Sequence, residues 1–162
     1  MITATRSMID LPPNDIHIVL YQPEIPANTG NIGRLCVGTG ATLHLIKPFR
    51  FLITDRELRR AGLDYWPKLK IVLHEDLDEI LTAFPLERMF LCTTRTDQSY
   101  LNRRYRQGDV FVFGTETRGL PENLLKQFPD RCIGIPMSPD IRSINLANSV
   151  AIVLFEAIRQ IG

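Results

Sequence analysis

Short apolar runs alternate with stretches of helical spacing along nearly the whole chain. "IHIVLY" (16–21), "TLHLI" (42–46), "KIVLH" (70–74), "RMFLCTT" (88–94), "VFVF" (110–113) and "RCIGIP" (131–136) read as strands. Between them Ile32, Leu35 and Cys36 recur at helical spacing, as do Leu77, Ile80 and Leu81. Leu124, Leu125 and Phe128 do so after Pro121, which suits a helix first turn. Strands alternating with helices predict an α/β fold, a mostly parallel sheet with helices on both faces. The pattern leaves strand order open. The last segment, "NLANSVAIVLFEAIRQ" (145–160), is apolar around much of its circumference. Such a helix is either central to the monomer or part of a dimer interface.

The remaining polar stretch, 1–15, reads as an N-terminal extension ahead of a single domain spanning 16–162. It has no apolar core of the kind a secretory signal needs, and no segment approaches the roughly 18 apolar residues of a membrane span. With 44% hydrophobic and 23% charged residues the chain reads as an ordinary globular protein. Its net charge of +1 says little about partners, because a local patch outweighs the sum. Cys36, Cys92 and Cys132 are scattered, with no CxxC pair. Reduced thiols in a cytoplasmic protein are expected, and neither a zinc site nor a disulfide framework.

Three polar islands interrupt the pattern. "QPEIPANTGNIGR" (22–34) follows the first strand; Asn28 or Thr29 can cap the helix, and Arg34 lies about a turn inside it. This is either a phosphate-binding helix start or a plain cap beside a surface arginine. "GTETRGLP" (114–121) spends more polar residues than a turn requires, so it reads as a ligand loop. Gly114 permits close backbone approach, Gly119 can take a positive φ, and Glu116 supplies acceptors. In "IPMSPDIRSINLANS" (135–149), Ser143 is a plausible helix N-cap. Asn145, Asn148 and Ser149 enter an apolar helix at a cost that a binding role would offset.

Several chemistries are missing. There is no GxxxxGK[ST] and no GxSxG, and "GTGATL" (38–43) stands before a strand rather than after one, the wrong context for a dinucleotide fingerprint. His17, His44 and His74 lie in strand-like runs without metal spacing, as core or surface histidines do. Two stretches suit a polyanion. "DRELRRAGLDYWPKLK" (55–70) carries Arg56, Arg59 and Arg60 with Tyr65 and Trp66. "RTDQSYLNRRYR" (95–106) carries Arg95, Arg103, Arg104 and Arg106 with Tyr100 and Tyr105. Cations hold phosphates and aromatics can stack on unpaired bases, although a solvated face is the usual reading of such clusters.

Taken together and in this order, "PEIPANTGNIGRLC", "RRAGLDY", "FGTETRGLP" and "RSINLANSV" resemble the motifs of the SPOUT class of RNA methyltransferases. The similarity is greatest to its tRNA 2′-O-methyltransferases of the wobble nucleotide, and it runs from about residue 16 to 162. The resemblance implies a deep trefoil knot in the C-terminal part, an obligate homodimer, tRNA as partner and S-adenosyl-L-methionine as methyl donor, without a metal. It also implies transfer to the ribose 2′-hydroxyl of cytidine or uridine 34, with leucine tRNAs as substrates. Donor-binding positions carried over are Cys92, Thr93, Gly114, Glu116, Gly119, Ile135, Met137 and Ser143. Arg34, Ser143 and Asn145 carry the catalytic positions; Arg56, Arg59, Arg60, Tyr65, Arg103 and Arg104 are the RNA-binding candidates. A guanidinium is a poor base, so Arg34 is expected to orient a phosphate and stabilise the developing alkoxide. Competing readings are the same transfer on rRNA or another tRNA position, a non-catalytic RNA-binding module, and a nucleotide-dependent oxidoreductase. The last lacks its fingerprint.

Overall fold

A computed structural model describes residues 9–49, 51 and 64–162. Six strands, β1 (His17–Tyr21), β2 (Thr42–Ile46), β3 (Ile71–His74), β4 (Met89–Cys92), β5 (Val110–Phe113) and β6 (Cys132–Ile133), form one sheet. Its order is β3-β2-β1-β5-β4-β6, and every pairing is parallel. Among the described residues the α-helices are α1 (Pro26–Thr39), α2 (Leu77–Ala83), α3 (Glu122–Gln127) and α4 (Leu146–Ile161).

Strand alternation divides the core in two. Ile18, Leu20, Leu43, Leu45, Phe111 and Phe113 face α1 and α4, meeting Ile32, Cys36, Val150 and Leu154. Val19, Ile46, Met89, Leu91, Val110 and Val112 face the other way, under Ile80 of α2 and Leu124 and Leu125 of α3. Both faces are covered, which is why β5 reads as an unbroken apolar run rather than an alternating one. Each fully buried large side chain, such as Phe111, contributes about 1.5–3 kcal/mol through burial. Helix α4 buries Val150, Val153, Leu154, Ala157 and Ile158 in this core while Phe155 stays exposed. Its greasy circumference thus serves the monomer on one side and presents apolar surface on another.

Three sequence expectations shift. The sixth strand covers two residues rather than six, because the backbone of Gly134 bonds to the β4–β5 connection instead of the sheet. Gly134 N donates to Gln98 O at 2.8 Å, and Tyr100 N donates to Gly134 O at 2.9 Å. Helix α1 is capped at Ile25, ahead of Asn28 and Thr29, with Pro26 fixing the first turn. Helix α4 is capped by Asn145, not Ser143: the Asn145 side chain accepts from Asn148 N at 3.3 Å.

Chain direction decides where a ligand can sit. From β1 the chain proceeds outward through β2 to β3, then returns to the other half of the sheet for β4, β5 and β6. The loops leaving β1 and β5 therefore diverge, and a crevice opens at the carboxyl ends of the strands between them. Among the described residues no helix is long and apolar enough to cross a membrane.

Candidate active site

The loops at the carboxyl ends of β4, β5 and β6, with the first turns of α1 and α4, enclose a cavity of about 510 Å³. That is the size of an ordinary small-molecule site. Cys92 and Thr93 line it from β4, Gly114 to Gly119 from β5, Ile135 and Met137 from β6, and Ser143 and Asn145 from the approach to α4. Every residue expected at the donor site is on this wall. Phe113, Leu120, Ile133, Leu146 and Val153 give it an apolar floor, while threonines and backbone supply polar partners.

The loop after β5 is built tightly. Thr115 and Gly119 exchange backbone bonds, 3.2 Å and 2.9 Å, and Gly119 adopts φ +71°. A Cβ on Gly114 would lie 2.0 Å from the Gly119 carbonyl carbon, so this position admits no side chain at all. Within the loop Glu116 turns away from a purely ligand-facing role. Its two carboxylate oxygens accept from Glu24 N at 2.8 Å and Ile25 N at 3.1 Å, the donors at the start of α1. Glu24 reciprocates: its carboxylate accepts from the Thr117 hydroxyl at 2.7 Å and from Thr117 N at 3.2 Å. The Thr117 bonds hold the Glu24 carboxyl below its ordinary range. Two islands far apart in sequence are thereby clamped together.

A second link joins the first and third islands. The Asn145 side-chain amide donates to Asn28 Oδ1 at 3.1 Å, and Asn28 also lines the cavity. Asn28 is buried in the first turn of α1, and beside it the buried Thr29 hydroxyl has no partner among the described residues. Sequence reasoning gave Asn28 only a capping role. The available signal was the cost of a buried asparagine inside a helix unless something bonds it.

Other candidates stand apart from the cavity. Arg34 is exposed, off the wall, with its guanidinium 5.7 Å from the centre of the Tyr65 ring. Tyr65 is half-buried and its hydroxyl donates to Gly30 O, which ties it to α1 beside Arg34. Arg103 is half-buried and bonds the Asp130 carbonyl at 2.5 Å, whereas Arg104 is exposed. Tyr105 is a core residue, edge-on to Phe90 and Phe111, which removes it from the stacking candidates. Arg56, Arg59 and Arg60 lie outside the described residues. Cys92 faces the cavity, but burial, with Cys132 close by, pushes its thiol well up, which disfavours a thiolate nucleophile. A larger, shallower hollow of about 890 Å³ shares Arg95 with the cavity. It mixes Arg103 and Lys126 with Asp97, Glu122 and Asp130, a balance that selects no ligand charge.

The chain matches the SpoU rRNA Methylase family over residues 15–155. It is 51% identical over 144 residues to the tRNA (cytidine(34)-2′-O)-methyltransferase of Methylovorus glucosotrophus, covering 88% of this chain and 94% of that protein. To the Escherichia coli K12 enzyme of the same name it is 48% identical over 148 residues, covering 91% and 94%. A solved structure from work on the 2-OH methylation of C/U34 on tRNA superposes with a TM-score of 0.84 at 45% identity, covering 92% of this chain and 97% of that one. An extensive family match, close identity and a shared fold agree: the chain belongs to the SpoU rRNA Methylase family.

Proposed function

We propose that this protein is a tRNA 2′-O-methyltransferase that methylates the ribose of the wobble nucleotide, cytidine or uridine 34. The observation that carries the reading is the meeting of three sequence islands on one cavity, tied by Asn145 to Asn28 and by Glu116 to the α1 start. It is supported by about half of all positions being identical in proteins named for that reaction.

S-adenosyl-L-methionine is the donor this reading assigns to the cavity. The fit rests on its volume, an apolar floor for a purine and ribose, and backbone and hydroxyl groups for the polar ends. Cys92, Thr93, Gly114, Glu116, Gly119, Ile135, Met137 and Ser143 would hold it. When bound, it supplies an electrophilic methyl group, and the reaction needs no metal. The ribose hydroxyl is a weak nucleophile at neutral pH, so the chain must hold it in line and ease loss of its proton. Ser143 and Asn145 stand at the α4 entrance, where a hydroxyl and an amide can orient it. Arg34, a permanent cation, would anchor the neighbouring phosphate and stabilise developing negative charge. Arg104, Arg103 and Tyr65 belong to the RNA side of this reading, together with Arg56, Arg59 and Arg60.

The reading takes residues 16–162 as one methyltransferase domain, and it brings with it a trefoil knot and a homodimer. The knot is supported by the segment after β6 bonding across the β4–β5 connection before α4 turns back onto α1. The dimer is supported by exposed apolar side chains near the cavity and α4, Ile25, Ile141 and Phe155. The test is incubation with labelled S-adenosylmethionine and unmodified total tRNA, followed by mapping of the modified nucleotide. Label at the ribose of position 34 is expected. Donor binding without any label in tRNA would overturn the substrate.

A further inference from the structure

Three histidines outside the cavity form a row across β1, β2 and β3. His17 Nδ1 lies 2.9 Å from His44 Nε2, and His44 Nδ1 lies 2.9 Å from His74 Nε2. A carboxylate stands at each end. Glu79 Oε2 of α2 is 3.1 Å from His74 Nδ1, while Asp15 Oδ1 is 3.6 Å from His17 Nε2. His44 and His74 are buried, and Phe84 packs on His17 and His44 with ring centres 4.8 and 5.6 Å away. The imidazoles run in a line, so they do not converge on a metal ion.

Counting protons fixes the direction of the row. Each neutral imidazole brings one N–H and one lone pair, and a carboxylate can only accept. Three imidazoles between two carboxylates leave four gaps for three protons. The His74–Glu79 gap is at bonding distance and must be filled, since a bare nitrogen there would face an anionic oxygen. His74 therefore donates from Nδ1 and accepts at Nε2 from His44 Nδ1–H. His44 in turn accepts at Nε2 from His17 Nδ1–H. The unfilled gap is the longer one, where the His17 Nε2 lone pair faces Asp15. The Nε2 atoms of His44 and His74 are already engaged as acceptors, so a proton from water enters the row at His17 Nε2.

We propose that the row is a one-proton binding site: the proton enters at Nε2 of His17, and the Asp15 carboxylate closes onto it. The Asp15 side chain is 74% exposed and that of His17 17%, so the open end is the one in reach of water. Burial holds His44 neutral and also lowers His17, with Asp15 opposing that shift. Among the described residues the neighbouring charges are already occupied. Lys47 pairs with Glu75 at 2.7 Å, and Asp109, whose carbonyl accepts from His17 N, pairs with Arg88 at 3.1 Å. On the far side of β1, β5 contributes Val110 opposite His17. Proton uptake would also fasten the segment before β1, because the Asp15 carbonyl holds Gly108 N at 3.0 Å. The inference does not depend on the proposed substrate.

Two-bond proton–nitrogen NMR of the full-length protein labelled at histidine nitrogens reads every tautomer directly. At pH 7.5 all three imidazoles are expected as Nδ1–H, and on acidification the His17 Nε2 is expected to gain its proton before His44 takes up a second one. In Asp15→Asn, an exposed substitution that leaves the core intact, the His17 midpoint should fall by about half a pH unit, the scale of one partly exposed ion pair. An Nε2–H tautomer at His44 or His74 would overturn the proposal. So would titration of His44 before His17, or an unmoved midpoint in Asp15→Asn.

Discussion

The side chain of Asn145 does two things at once: it caps α4 by accepting from Asn148 N, and it donates to Asn28 Oδ1 at 3.1 Å. The two functions can be separated. Asn145→Ala should lose both, costing about 1 kcal/mol or more of stability for the cap and most of the turnover. Asn145→Ser keeps a capping hydroxyl but is too short to reach Asn28. Its melting temperature should stay near wild type while the single-turnover methylation rate drops. Equal turnover in Asn145→Ser and wild type would remove the Asn28 link from the reaction.

Glu116 joins the cavity loop to α1 through two backbone N–H donors, Glu24 and Ile25. Glu116→Gln leaves one acceptor and turns an amide N–H₂ toward a donor. Charged acceptors are worth about 1.5–3 kcal/mol each, so the loss should approach the lower figure in urea unfolding. Donor affinity, read by calorimetry, should weaken as the loop loosens. An unchanged unfolding midpoint would show that the clamp carries no stability.

These two links explain what the sequence could and could not reveal. Strand β5 was legible because a strand covered on both faces must be apolar throughout, and the loop after it was legible as a ligand loop because hydroxyls and glycines cluster where the strand ends. Cys92, Thr93, Ile135 and Met137 came only from the family resemblance. Cap positions were not. Asn28 and Thr29 look like caps locally, yet the acceptor for the α1 start comes from Glu116, 92 residues from Glu24. Strand β6 was read too long because Gly134 gives its backbone bonds to residues 98 and 100. Tyr105 sits among arginines in the sequence but faces Phe90 and Phe111 in the core. The α1 start and β6 were missed because their partners are distant along the chain, which local spacing does not encode. The α4 cap was missed more simply, since Asn145 and not the nearby Ser143 accepts from Asn148 N.

Arg34 stands on the surface of α1 over Tyr65, away from the core. Arg34→Ala should change stability by no more than about 1 kcal/mol, the worth of an exposed cation–aromatic contact. If its guanidinium stabilises developing charge, single-turnover methylation should fall about 10²–10³-fold. Donor affinity should be preserved, and Arg34→Lys should recover only part of the rate because it cannot grip a phosphate with two N–H groups. Loss of donor affinity with an intact chemical rate would assign Arg34 to the pocket instead.

Acid sensitivity should trace to His44. Burial, reinforced by His17 and His74, holds its imidazole down to about 3, against an ordinary 6.5. The folded value lies below the unfolded one, so the unfolded chain takes up the proton first. His44 therefore costs no stability above about pH 6.5 and an increasing amount as pH falls from there toward 3. By pH 5 the loss from this residue alone is about 2 kcal/mol. Urea unfolding at pH 7.5 and 5.0 measures it. His44→Gln should start less stable at pH 7.5, because it breaks the row, yet lose less between the two pH values. An equally steep loss in His44→Gln would move the acid response to other groups.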